Sequence, residues 1–461
     1  MSLTGAAFIF AFLTALGLTL FRDPRFGLYT YLALFYLHPP SRWWGAALPD
    51  LRWSLVAAIV TLVATWRLPV DKSLPKWHET TPARLLIVFS LWLWIQTLWA
   101  LTKPEHIEVS VLFTKYLILY YLLQRLLTSQ KQIGDFLLAH VIGCGYLGWL
   151  ALLAPDVGRL EGVGGPGIDE ANALGMFVAT GGLCAGGLFL AERSWRRWPP
   201  LLLAPLIGNA IVQSESRGAM LGLVAGGLVL LYLLPRGYRL KALAIGSVGL
   251  VVFATIAPPV YIERMLTLQA TVDDRVEMDS SAESRLVLIE AQWRMWLAYP
   301  MGTGHRGTAE LSPQYLDEIW LTKAHADDPG ARSSHNTLMT ALVEQGIIGL
   351  VIYVWLGVWA LRATLSLRRF SRRASRDSDS SFMQYGACAA GSLVVILVAG
   401  MFTDYLKTEV QIWMYSVLVT LLLLSRSQAS PTEKPSAGSP KTETSQPLVR
   451  GPAAIDRVRD R

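Results

Sequence analysis

Apolar stretches long enough to cross a bilayer recur along almost the whole chain, and this repetition constrains the fold more than any other feature. A hydrocarbon core of roughly 30 Å takes about twenty helical residues to cross. Candidate spans fall near residues 3–21, 26–37, 53–66, 85–102, 109–127, 133–154, 171–191, 199–214, 219–235, 241–258, 337–361, 384–403 and 408–425. The second and third are short, which leaves twelve as well as thirteen crossings. The expected fold is an all-α polytopic membrane protein of 12–13 transmembrane helices, with one long outward loop, about 259–336, that carries short helices. Composition agrees: 52% hydrophobic and 16% charged residues with a mean hydropathy of +0.38 are too apolar for a soluble chain of 461 residues.

The net charge of +7 would suit a nucleic-acid partner if the cations were clustered on one soluble face. They sit instead in short loops between apolar runs: Arg193, Arg196 and Arg197, then Arg236, Arg239 and Lys241, then Arg362, Arg368, Arg369, Arg372, Arg373 and Arg376. That alternation marks the cytoplasmic side and makes membrane lipid the partner. The turn at Ser216-Arg217 and the loop 259–336 then face outward, and thirteen spans put the N-terminus outside. The N-terminal apolar run has no basic n-region, so its first span is expected to be retained. Cys144, Cys184 and Cys388 lie in apolar segments with no metal-ligand spacing, which assigns them to packing. From 426 to 461, Ser, Pro, Lys, Thr and Glu dominate and predict a disordered cytoplasmic tail.

The run Ser333-Ser334-His335-Asn336 directly precedes an apolar helical segment. With Ser334 as N-cap, His335 and Asn336 would occupy a first turn whose unpaired N–H groups attract an anion and disfavour an imidazolium. A lone histidine at such a place is more often an ordinary capped helix start. Two arginines elsewhere point beyond that: Arg217 between Ser216 and Gly218, and Arg285 in a helix that a Ser280-Ser281-Ala282-Glu283 capping box starts and Pro300 stops. Each guanidinium is a permanently charged fork matched to phosphate oxygens. An apolar stripe of Leu286, Ile289, Trp293 and Trp296 is expected to lie against the membrane or the bundle. Glu344 falls near mid-span, where an ionisable group is costly and suggests function or pairing with a neighbouring helix. Gly346 and Gly349 share a helix face suited to close packing.

Other polar stretches carry weaker signals. The glycine-rich loop 158–167 lacks the strand and the Lys-Ser or Lys-Thr ending of a nucleotide loop, so Arg159 suits a glycan or diphosphate contact, or the loop simply folds back on the membrane. The His38 to Trp44 loop reads as an interfacial turn anchored by indoles. Asp317, Glu318, Asp327 and Asp328 read as a solvated face, His305 and His325 as surface residues, and no metal or cofactor site is expected.

His335-Asn336, nine residues, Gly346, two residues, Gly349 resembles the signature of the O-antigen ligase and polymerase superfamily, whose members transfer polyprenyl-linked glycans at the outer face of the bacterial inner membrane. Ser216-Arg217-Gly218, Ser284-Arg285 and the following Trp296, Pro300, Gly302 and Gly304 extend the match. Arg22-Asp23-Pro24-Arg25 ahead of His38-Pro39 resembles the O-glycosylation ligases encoded with exosortase systems. The resemblance implies that Arg217 and Arg285 hold the diphosphate and that His335 is the general base or positions the acceptor. Asn336, Ser216, Gly218, Arg159 and Glu344 are then substrate contacts, with Asn336 orienting the histidine. It also implies inversion without metal or cofactor. The donor is an undecaprenyl-diphosphate-linked glycan, and the acceptor is lipid A core or a protein hydroxyl. A repeat-unit polymerase is the alternative, and a lipid-linked glycan transporter is a further one, although no internal repeat supports it. Three regions follow: an N-terminal transmembrane bundle at 1–132, a ligase-like catalytic region at 133–425, and the tail at 426–461.

Overall fold

The computed structural model describes residues 2–69, 75–154, 160–256, 280–321, 330–373 and 381–429, and folds them into seventeen α-helices with no strand among the described residues. The first ten are α1 (Leu3–Phe21), α2 (Arg25–Leu37), α3 (Trp53–Trp66), α4 (Thr81–Gln96), α5 (Lys103–Leu126), α6 (Gln130–Leu153), α7 (Ala171–Ala191), α8 (Trp198–Gln213), α9 (Arg217–Leu233) and α10 (Arg236–Ile256). Three helices of the long loop follow, α11 (Ser280–Ala298), α12 (Gly307–Tyr315) and α13 (Glu318–Leu321), and then α14 (Thr337–Glu344). The chain closes with α15 (Gly346–Arg373), α16 (Phe382–Ala399) and α17 (Glu409–Ala429). By length and apolar composition, α1, α5, α6, α7, α15, α16 and α17 are able to cross a membrane, and α3, α4 and α9 are apolar but shorter. The chain is therefore an all-α polytopic membrane protein.

Small residues bring the central helices together. Gly222 and Gly226 of α9 lie against the Val395 and Gly391 carbonyls of α16, and Gly187 of α7 lies against the Cys388 thiol. Without a hydrophobic driving force between helices in lipid, close backbone approach of this kind supplies the packing energy. All three cysteines are buried in it. One continuous apolar core runs from Leu28 of α2 to Leu421 of α17, with the fully buried Trp413 ringed by Phe35, Phe136, Phe177 and His140. The two ends of the bundle carry different polar groups. One carries the Arg196–Asp135 ion pair, the Tyr385–Glu192 hydrogen bond and Arg368 over the Tyr232 ring; the other carries the loops with the candidate residues.

The segment at 337–361 departs from the expected single helix. It breaks between α14 and α15, and Gly346 adopts a left-handed φ of 70°. A break strands the last carbonyls of α14, which must find donors elsewhere. The Thr303 and Gly304 N–H groups take the Val343 and Glu344 carbonyls (3.0 and 2.9 Å), and the Trp92 indole of α4 takes that of Gln345 (2.7 Å). Gly302 (φ 88°) and Gly304 (φ 83°) let this strap pass, since a Cβ on Gly302 would lie 2.6 Å from the Glu344 carbonyl oxygen. Gly346 thus marks a left-handed break and also packs closely, since a Cβ on it would lie 2.4 Å from the Met301 carbonyl carbon. Glu344 ends a short helix instead of sitting in mid-span.

The stripe expected on α11 divides, with Trp296 packed on the buried cluster and Leu286 and Trp293 turned outward. The face turned into the protein is Ser284, Leu288, Ala291, Gln292 and Met295, which packs on Leu311, Leu316 and Val343, while Leu286 and Trp293 are 58% and 50% exposed. Ser284 and Gln292 read as polar in sequence, but both are hydrogen-bonded to the segment before His335, and that stitching chooses the face. In the N-terminal turn Trp44 packs at a tilt on Phe8 (ring centroids 5.0 Å apart) and Trp43 is exposed.

Candidate active site

The candidate residues come together around residues 400–408, the connector between α16 and α17. The Thr337 N–H, at the first residue of α14, donates to the Gly400 carbonyl (2.7 Å). The Thr337 hydroxyl donates to the Thr403 carbonyl (3.0 Å) and accepts the Tyr405 N–H (2.8 Å). Phe402, between these anchors, carries two further contacts. The Arg285 guanidinium lies 5.8 Å from its ring centroid, and its Cβ is 3.1 Å from where a Cβ on Gly218 would stand. Tyr405 closes the circle by donating to the Asn172 carbonyl (2.8 Å), while the Ser216 hydroxyl donates to the Asn172 side-chain oxygen (2.9 Å). The start of α9 with Arg217, the start of α11 with Arg285 and the His335–Thr337 turn thus share one six-residue stretch, Gly400 to Tyr405. Arg217, Arg285 and His335 are all half-buried.

The His335 turn is held from the other flank by α11. The Gln292 amide donates to the Ser334 hydroxyl (2.8 Å), and the Arg332 guanidinium donates to the Ser284 hydroxyl (3.0 Å). The N-cap of α14 is Asn336, not Ser334: its side-chain oxygen accepts from the Leu338 and Met339 N–H groups (3.0 and 3.1 Å). His335 therefore stands just outside the helix, and the Asn336 oxygen is committed to the backbone instead of the imidazole. Ser216 plays the same capping part for α9, accepting the Ala219 N–H (3.3 Å). Arg159 lies outside the described residues, as do residues 257–279, 322–329 with His325, Asp327 and Asp328, and 430–461 of the expected tail. The loop beyond Arg159 folds onto the bundle through the Leu160 N–H to the Gln213 carbonyl (3.1 Å).

A second polar group beside the connector escapes sequence reasoning. His305, expected at the surface, is largely enclosed: its Nδ1 is 3.2 Å from the Glu344 carboxylate and its Nε2 is 3.4 Å from the Lys407 ammonium. An ammonium donates, so Nε2 accepts and the Nδ1–H donates to Glu344. The partner sought for Glu344 is thus His305 of the loop, not a residue of a neighbouring span. Lys407 stands in a short polar run between two apolar spans, Thr403-Asp404 to Lys407, and that run is the one sequence signal that would have found it.

Burial holds the Asp404 carboxyl of this group above its usual range; Lys407 and His305 oppose the rise and Glu344 adds to it. An acid with a raised folded-state pKa binds its proton more tightly when folded. Its contribution to stability is present below its unfolded pKa of about 4 and is lost as pH rises through the folded value. Asp404→Asn, which can still accept the Leu406 N–H, should flatten the fall in unfolding temperature as pH rises from about 4 to 7. Equal slopes in variant and wild type would contradict this.

A many-helix membrane protein with a cationic, hydroxyl-lined cluster at one end of its bundle is built to meet a polar group at a membrane surface. Residues 201–354 match the family model described as O-Antigen ligase, about one third of the chain, from α8 into α15 and including Arg217, Arg285 and His335. That match makes this stretch similar to the O-antigen ligase superfamily and supports, in general terms, a glycosyl-transfer enzyme of the ligase or polymerase type. It is a multi-pass bacterial membrane protein. No curated protein matches the chain.

Proposed function

We propose that the protein transfers a preassembled glycan from undecaprenyl diphosphate to an acceptor hydroxyl, of lipid A core or of a protein, at the periplasmic face of the inner membrane. The observation that carries this reading is the gathering of the Arg217, Arg285 and His335 segments on one connector. The acceptor oxygen attacks the anomeric carbon, the bond to the diphosphate oxygen breaks with inversion, and His335 takes the acceptor proton. Arg217 and Arg285 hold the diphosphate and balance the charge that grows on it as it leaves, a task assigned here to side chains instead of a metal ion. The basic loops at the opposite end of the bundle support the outward orientation of the site. Kinship with exosortase-associated ligases rests on the Arg22–Arg25 and His38–Pro39 motifs and belongs to the same proposal.

Purified protein should keep its activity in EDTA; loss of activity restored by a divalent ion would overturn the metal-free step. Deleting the gene separates the two members of the class. Long unattached chains on the lipid carrier are the expected result, and accumulated single repeat units would make the protein a polymerase instead.

A further inference from the structure

A cavity of about 420 Å³ opens between α2, α3 and α5, outside the stretch that matches the ligase family. Its volume is in the range of roughly 300–1,000 Å³ that accommodates small ligands. One wall is the α3 face of Leu55, Ile59 and Leu62; the facing wall is Ile118 and Leu122 of α5. Both helices start at the end of the bundle that bears the candidate site and run away from it, so Ile59 and Leu62 lie farther along α3 than Arg52, and Ile118 and Leu122 farther along α5 than Lys115. The polar part of the lining is His38, Asp50, Arg52 and Lys115. Ile59 and Ile118 are exposed and Leu122 is buried, so the cavity opens toward the lipid side along one edge.

Lys115 is the informative residue. It stands twelve residues into the 24-residue α5, about 18 Å from its start, where an ammonium in an apolar helix calls for a partner. Among the described residues neither Lys115 nor Arg52 makes an ion pair. Asp50 is the one carboxylate of the lining, against two permanent cations. His38 adds no charge near neutral pH, because burial and the neighbouring Arg42 lower its pKa.

We infer that this cavity binds a membrane lipid with an anionic phosphate head, its chain on the α3 and α5 walls and its head at Arg52 and Lys115. The inference does not rest on the transferase reading. Charge complementarity selects the head, and the extent of the apolar walls selects a lipid over a free anion. The site would hold such a lipid at the N-terminal side of the bundle, away from the connector.

Native mass spectrometry of the full chain in detergent, titrated with phosphatidylglycerol or phosphatidylcholine, tests it. Phosphatidylglycerol should be retained in preference, Arg52→Gln and Lys115→Met should each lower that preference roughly fivefold, and Ala58→Trp should fill the cavity and abolish retention of both lipids. Inorganic phosphate should fail to displace the lipid. Equal retention of the two lipids, an unchanged preference in the Arg52 and Lys115 variants, or displacement by inorganic phosphate would each overturn the site. Arg52 and Lys115 are exposed, so those two variants decide the matter even if Ala58→Trp unfolds. Glycan transfer measured on the same variants keeps this outcome apart from that of the transferase reading.

Discussion

Replacing Arg217 or Arg285 by lysine is expected to lower glycan transfer roughly 10²- to 10³-fold, the usual loss when one preorganised donor to a developing anion is removed. Lysine keeps the charge but loses the planar fork, so a loss of this size would show that geometry as well as charge is needed. Both arginines are half-buried at helix starts, and neither position is part of the apolar core. Membrane abundance and unfolding temperature should therefore stay near wild type. Transfer assayed with a lipid-linked donor, alongside abundance, checks this; full activity in both variants would remove the diphosphate assignment.

Gly346→Ala is expected to have the largest effect on stability. A left-handed φ of 70° costs an alanine about 1–2 kcal/mol, and the added Cβ would also overlap the Met301 backbone. Met301 cannot easily withdraw, because its carbonyl accepts from Gln96 (3.0 Å) and the strap after it covers the end of α14. The variant should unfold at markedly lower temperature in detergent and accumulate poorly in membranes. Gly357→Ala provides the control: nothing stands within 4 Å of the added Cβ, and alanine gains roughly 0.5–1 kcal/mol over glycine inside a helix. A Gly346→Ala variant as stable as Gly357→Ala would refute the need for glycine at this break.

Hydropathy made the helices legible because lipid imposes a length and a polarity on each of them. Each stretch expected to span contains a helix, although 85–102 is helical only to Gln96 and 337–361 breaks at Gly346, and the capping box and Pro300 bracketed α11 (Ser280–Ala298) closely. Details that depend on partners distant in sequence were not legible. Apolar character runs unbroken through 337–361, so the break at Gly346 leaves no trace in hydropathy; it exists because Thr303, Gly304 and Trp92 supply donors from elsewhere. The inward face of α11 carries Ser284 and Gln292, which look solvent-loving until Arg332 and Ser334 are beside them. His305 looked like a surface histidine for the same reason: Glu344 and Lys407 come from other elements. The candidate arginines and His335 were found from short motifs, yet the connector that gathers them has no motif and had to be seen in the fold.

Binding of a short isoprenyl diphosphate, measured by calorimetry on wild type and on Arg217→Ala, Arg285→Ala and His335→Ala, tests the central claim most directly. The account predicts that either arginine variant loses the ligand while the histidine variant binds it and fails to turn over the full donor. Binding that survives loss of both arginines would contradict it.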